Sequence, residues 1–256
     1  MIKLETNGPV TTLTLNRPEK RNAINGQMID SLLSAIAAAE ADNQCRVLVL
    51  TGTGGHFAAG RDLGDASAAT PLADVMDYDE AYTSIFEMLR RSAKPSVAVV
   101  QGYAVAGGFT LVMGCDFVLA DRQAQFGALE MRGGFPAAVN TAILSHLVGP
   151  RQALELLLSA ELFDADHLHR IGLINKLADD AAELTAAAAA FTESLAALDP
   201  MAVKLTKETH RAASTMPIAE ALVMAKQLNT LLMTSGKIDD AAAHFENSRA
   251  TAAQDS

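Results

Sequence analysis

The sequence predicts an α/β fold, and three observations predict it. Continuous apolar runs at Val47–Leu50, Val97–Val100 and Phe117–Ala120 have the length and composition of strands buried on both faces. Segments with apolar residues at helical spacing lie before the first run and between the first and second. The first two runs each open into a glycine-rich loop. Strand, helix, strand and glycine loop recurring in this order require crossover connections, the mark of an α/β core.

The elements follow in order. Ile2 to Leu15 alternates with period two, interrupted by Asn7-Gly8-Pro9, which signals a hairpin. Met28, Ile29, Leu32, Leu33 and Ile36 recur at helical spacing within residues 28–39. A second helix fits Leu72 to Leu89, with Val75, Tyr78, Tyr82, Ile85, Phe86 and Leu89 on one side. From about Asn140 onward the pattern is almost wholly helical: Thr141–Val148, Arg151–Leu158, Asp180–Leu198, Ala202–Ala213 and Ile218–Met233. The alanine-rich stretch after Asp180 reads as a tightly packed helix, because alanine has the highest helix propensity. Asp199-Pro200 separates two helices. No linker divides the chain, so one α/β domain followed by a helical region is expected. That region packs either on its own body or on a neighbouring subunit.

Composition narrows the function. The 256 residues are 50% hydrophobic and 20% charged, contain no tryptophan and only 5% aromatics, so the core is expected to consist mainly of Ala, Val, Leu, Ile and Met. A net charge of −10 argues against a nucleic-acid surface, which needs a cationic footprint, but not against a small anion held by local Lys or Arg. Cys45 and Cys115 are too few for a disulfide framework and, in apolar surroundings, are expected to be buried free thiols. The N-terminus has no apolar signal region, and no apolar run approaches the roughly 18 residues of a membrane span. A cytoplasmic location is expected.

The two glycine loops are the candidate site. The first runs from Gly52 to Asp62 (GTGGHFAAGRD), the second from Gly102 to Phe109 (GYAVAGGF). Small residues let the backbone approach a ligand closely, and ligands of parallel α/β sheets sit at the carboxyl ends of strands. FTLVMG after the second loop reads as one or two helical turns, whose first amides are free to donate to an anion or polarised carbonyl. Other glycine motifs fail: neither loop ends in Gly-Lys-Ser/Thr, GxGxxG breaks at Phe57, and GxSxG is absent. No HExxH occurs, and His167-x-His169 lies on an expected helix, where side chains two apart diverge. No metal site is expected.

Together these residues resemble the enoyl-CoA hydratase/isomerase, or crotonase, family. The resemblance lies in Asn16-Arg17-Pro18-Glu19-Lys20-Arg21-Asn22-Ala23, in Phe57-x-Ala59-Gly60-x-Asp62-Leu63, and in Lys94-Pro95 leading to Gly102-Tyr103-Ala104-x-Ala106-Gly107-Gly108. It continues through Cys115-Asp116, Ala124-Gln125-Phe126-Gly127 before Glu130, Gly149, and Gly172-Leu173-Ile174. It implies a crotonase-like spiral of ββα units over residues 1–195, with a helical C-terminal trimerisation region over 196–256 and a homotrimer or hexamer. It also implies an acyl-CoA substrate, with coenzyme A entering as part of that substrate and no permanently bound cofactor.

Carried over by position, the resemblance makes the backbone N–H groups of Arg61 and Gly107 an oxyanion hole for the thioester carbonyl, with Glu130 as acid/base. Lys20, Arg21, Ala23, Ala59, Asp62 and Leu63 fall where relatives line coenzyme A, and the Arg61 side chain is a further candidate for its phosphates. Typical hydratases of the family have a second glutamate, whose position here is Thr110. A threonine hydroxyl can orient water but cannot accept a proton near neutral pH. One carboxyl with a pKa raised by an apolar pocket suffices to move a double bond, so isomerisation of an enoyl-CoA is expected ahead of hydration. Hydratase activity in fatty-acid or related acyl-CoA degradation, and coenzyme A binding without catalysis, are the alternatives; the −10 charge disfavours an RNA-binding role. Asp65 to Asp79 is expected to shape the acyl pocket, Asp116 to brace a strand end, and His146 to be packed.

Overall fold

A computed structural model describes residues 1–62, 64, 67 and 69–233. Leu63, Asp65, Ala66 and Ala68 lie outside the described residues, and with them part of the expected acyl-pocket segment. The chain divides into two compact units, Met1–Lys204 and a second beginning at Leu205.

The first unit holds two sheets. β1 (Ile2–Asn7) and β2 (Val10–Leu15) form the expected hairpin, with Gly8 supplying the positive φ of its turn. β2 then pairs in parallel with β3 (Val47–Gly52), β3 with β4 (Ser96–Val100), β4 with β6 (Phe117–Asp121), and β6 with β9 (Lys176–Ala178). A smaller sheet contains β5 (Tyr103–Val105), β7 (Gln125–Gly127) and β8 (Phe163–Asp164).

The central strands of the larger sheet, β3, β4 and β6, are buried on both faces, as their apolar runs require. Leu48, Leu50, Ala98, Val100, Val118 and Ala120 belong to the main core. α1 (Gly26–Ala41) packs Met28, Ile29, Leu32 and Ile36 into it, and α2 (Leu72–Arg91) adds Ile85 and Leu89. The alternate residues Val47, Val97 and Leu119 meet Leu184 of α7 (Ala181–Ala196) on the opposite face. The core is not purely aliphatic: Phe57, Phe109 and Phe126 are fully buried.

α3 (Gly107–Met113) follows the second loop, as expected. α4 (Ala138–Leu147), α5 (Pro150–Leu158), α6 (Ala165–Arg170) and α8 (Pro200–Ala213) follow, α8 running across the boundary between the units. In the second unit, α9 spans Ile218–Met233. Asp116 braces two strands as expected: its Oδ2 accepts from Ser96 N at 2.8 Å and Ser96 Oγ at 2.9 Å. Two expectations are corrected. His146 is exposed, because α4 buries Asn140 and Leu144 on its other side. Cys115 is only half-buried at the end of α3, whereas Cys45 is buried. Among the described residues, no helix is long and apolar enough to cross a membrane.

Candidate active site

The first glycine loop is held from both sides. Ile24 N donates to Gly60 O at 2.7 Å and Asp62 N to Ile24 O at 2.8 Å, a parallel bridge that uses the neighbours of Arg61 and leaves its own N–H facing away. On the other side Ala58 N donates to Tyr103 O at 3.0 Å, and Val105 N to Ala58 O at 3.0 Å. The first loop is thereby fixed against β5, which leads directly into the second.

The second loop turns sharply at Ala106, which has φ 48° and ψ −123°. A non-glycine residue in such a conformation stores about 1–3 kcal/mol and persists only where its surroundings over-determine it. Here they do. Ala106 N donates to Gly127 O at 2.8 Å, and Ala106 O accepts from Thr110 N at 3.0 Å, Thr110 Oγ1 at 3.1 Å and Asn140 Nδ2 at 3.2 Å. The turn presents Gly107 N–H at the first position of α3, where no intrahelical acceptor exists.

The Arg61 and Gly107 amides are thus brought together. A Cβ built on Gly107 would lie 3.6 Å from Arg61 N, and neither amide meets an acceptor among the described residues. Two amides this close on separate turns are in reach of one oxygen.

Glu130 opens a 3₁₀ turn (Glu130–Gly133) just after β7, the strand whose Gly127 carbonyl holds Ala106. Its Oε1 accepts from Asn140 Nδ2 at 2.9 Å, while Oε2 is buried with no hydrogen-bond partner among the described residues. Burial pushes its carboxyl above the ordinary range, opposed in part by its own backbone N–H and by Asn140. Thr110 is buried in α3, its hydroxyl committed to Ala106 O. The Tyr82 phenol of α2 donates to Gly107 O at 2.6 Å, and burial holds it protonated. Asn140 and Tyr82 were not singled out by the sequence reading.

The remaining candidates divide. Lys20 and Arg21 are exposed, and Arg21, in a left-handed conformation, lies 5.7 Å from the Tyr103 ring centroid. Ala59 N donates to Arg21 O at 3.0 Å and Arg17 Nη1 to Ala23 O at 2.7 Å, which fixes residues 21–23 beside the first loop. The Asp62 carboxylate is already bound, by Arg17 Nη2 at 2.8 Å and Gly64 N at 3.0 Å. The Arg61 guanidinium stacks 3.7 Å from the Tyr78 ring centroid and pairs with Asp79 at 3.2 Å, so it is engaged with α2 rather than standing free for a phosphate. Leu63 lies outside the described residues. His169 Nδ1 is hydrogen-bonded to Ile174 O at 2.8 Å, and the His167 ring lies 5.2 Å from that of Phe163.

Known proteins share this arrangement of the chain. The family model for enoyl-CoA hydratase/isomerase matches residues 5–253. A chain from Thermus thermophilus is 35% identical over 251 residues, 97% of this chain and 98% of that one. The short-chain-enoyl-CoA hydratase of Clostridium acetobutylicum is 33% identical over 207 residues, 80% of this chain and 78% of its own. The crystal structure of an enoyl-CoA hydratase from Polaromonas sp. JS666 superposes with a TM-score of 0.90 at 28% identity, covering 96% of this chain and 97% of that one.

Proposed function

The chain belongs to the enoyl-CoA hydratase/isomerase family, and from that premise we propose that it moves the double bond of an enoyl-CoA thioester, with the Arg61 and Gly107 amides holding the enolate oxygen and Glu130 carrying the proton. The observation that supports this reading best is the Glu130 carboxyl, with one oxygen anchored by Asn140 and the other buried without a partner among the described residues. Two carboxylates beside the first loop are already paired: Asp62 with Arg17, and Asp79 with Arg61. Where hydratases of the family carry a second glutamate, Thr110 supplies only a hydroxyl bonded to backbone.

In the proposed reaction, ionised Glu130 removes a proton from C2 of a 3-enoyl thioester. The electron pair shifts to the carbonyl oxygen, forming a dienolate whose charge the two amides take up; one such donor is typically worth about 2.7–4 kcal/mol. Return of that proton to C4 moves the double bond to C2–C3 and leaves Glu130 ionised again. Backbone donors suit this work because they are fixed before charge develops. The exposed Lys20 and Arg21 offer cations to the coenzyme A phosphates, with Ala23 and Ala59 beside them.

Hydration is the second reading, favoured by the Clostridium relative, a short-chain-enoyl-CoA hydratase. Water would then add at C3 and a proton at C2, with Glu130 as the single acid/base. Rates with 3-enoyl-CoA and 2-enoyl-CoA, for wild type and Glu130→Gln, separate the cases. Faster conversion of the 3-enoyl thioester supports isomerisation, and faster water addition supports hydration. Tight coenzyme A binding without turnover of either would leave a binding protein.

A further inference from the structure

We propose that Asn140 is a positioning residue that holds the Glu130 carboxylate and the Ala106–Gly107 peptide in one fixed relation, so that a single side-chain amide aligns the acid/base with an oxyanion donor. The inference rests on the acid/base reading of Glu130 given above.

Asn140 stands in the first turn of α4 and is 1% exposed. Its Nδ2 reaches Glu130 Oε1 at 2.9 Å and Ala106 O at 3.2 Å. Both targets accept only, so the amide must present nitrogen to them; the flipped orientation would set its oxygen against a carboxylate and a carbonyl. That choice leaves Asn140 Oδ1 with no hydrogen-bond partner among the described residues. What the position requires of this side chain is the pair of bonds its nitrogen donates.

The requirement is visible in the peptide that Asn140 touches. Ala106 C=O and Gly107 N–H are opposite ends of one planar group, so fixing the carbonyl fixes the direction of the free N–H. Thr110 supplies two donors to that carbonyl from within α3; Asn140 supplies one from a different helix. Donors converging on one carbonyl also polarise the peptide and strengthen its N–H as a donor. The same nitrogen favours the ionised form of Glu130, the form that takes a proton from substrate.

The test compares Asn140→Ala, Asn140→Leu and Asn140→Asp with wild type, reading kcat, KM, the pH profile of kcat/KM, the melting temperature and the Glu130 carboxyl titration by carbon NMR. Displacement of a reacting group by about 1 Å can cost 10²-fold, so kcat is expected to fall by about 10- to 100-fold, with KM little changed. The acid limb and the Glu130 titration should move to higher pH in Asn140→Ala and Asn140→Leu, and further in Asn140→Asp, where a second carboxylate faces the first. A lowered melting temperature with neither quantity moved would overturn the proposal and leave Asn140 a structural residue. Unchanged kcat would overturn it too. If the apolar variants do not fold, the near-isosteric Asn140→Asp decides by the same two readouts. Glu130→Gln distinguishes the failures: if it retains the wild-type rate, the acid/base reading falls and this inference with it. If it is inactive while the Asn140 variants behave as wild type, only this inference falls.

Discussion

Gly60 lies so close to Ala106 that a Cβ on the glycine would sit 2.9 Å from the alanine Cβ and 3.4 Å from Gly107 N. The two loops therefore meet without room for a methyl group, and Gly60 also has φ +93°, a region L side chains rarely adopt. Gly60→Ala is expected to destabilise the protein by about 1–3 kcal/mol, measured by urea unfolding. It should also lower kcat/KM for the enoyl thioester, because relief of the contact moves the Arg61 and Gly107 amides apart. Full activity in the variant would mean that the spacing of those amides does not govern the rate.

Glu130→Gln removes the proton carrier while keeping the size of the side chain. General acid–base catalysis contributes about 10²–10⁴-fold, and a loss of that order in kcat is expected. The wild-type pH profile carries a second signature. Glu130 must be ionised to accept a proton, and burial raises its pKa. The rate should therefore fall with acidification at a pH above the ordinary carboxylate range and level off on the alkaline side. A rate already flat down to the range of an exposed glutamate would argue against this carboxyl as the base.

Much of this site could be read from residue order. The hairpin, α1, α2 and most of the C-terminal helices show themselves by periodicity, β3, β4 and β6 by continuous apolar runs, and the loops by their glycines. β5, β7, β8 and β9 do not, because two or three residues show no period: Tyr103–Val105 is a strand because Gln125–Gly127 pairs with one side of it and Ala58 with the other. Asn140 was missed although a signal existed. Ala137, Asn140 and Leu144 share one buried side of α4, and a polar residue on such a side needs a partner. Tyr82 falls on the apolar side of the expected second helix, but its hydrogen bond to Gly107 depends on a loop remote in sequence.

The same buried carboxyl has an opposite consequence for stability. Because its pKa is higher folded than unfolded, the folded state holds more protons across the interval between the two values, and stability falls as pH rises through it. At neutral pH the ionised Glu130 is thus a cost to the fold. Glu130→Gln, neutral at every pH and still able to accept from Asn140, should melt no lower than wild type at pH 7 and most plainly above it, while losing activity. A calorimetric comparison at pH 4 and pH 7 checks this: the difference should shrink or vanish at the lower pH.

Asp62 gives the reverse sign. Arg17 Nη2 and Gly64 N–H bind its carboxylate, and these contacts, the arginine first, hold its pKa below the ordinary range against the opposing effect of burial. A carboxyl depressed on folding stabilises the protein above its unfolded pKa of about 3.9, and that stabilisation is lost as pH falls through the folded value. Asp62→Asn should therefore be less stable than wild type at pH 7, and its stability should fall less steeply on acidification, so that the two curves converge below about pH 3. Urea titrations from pH 2 to 7 would show it. Curves that stay parallel throughout would mean that Arg17 braces the loop through Ala23 O alone and that the Asp62 charge contributes nothing.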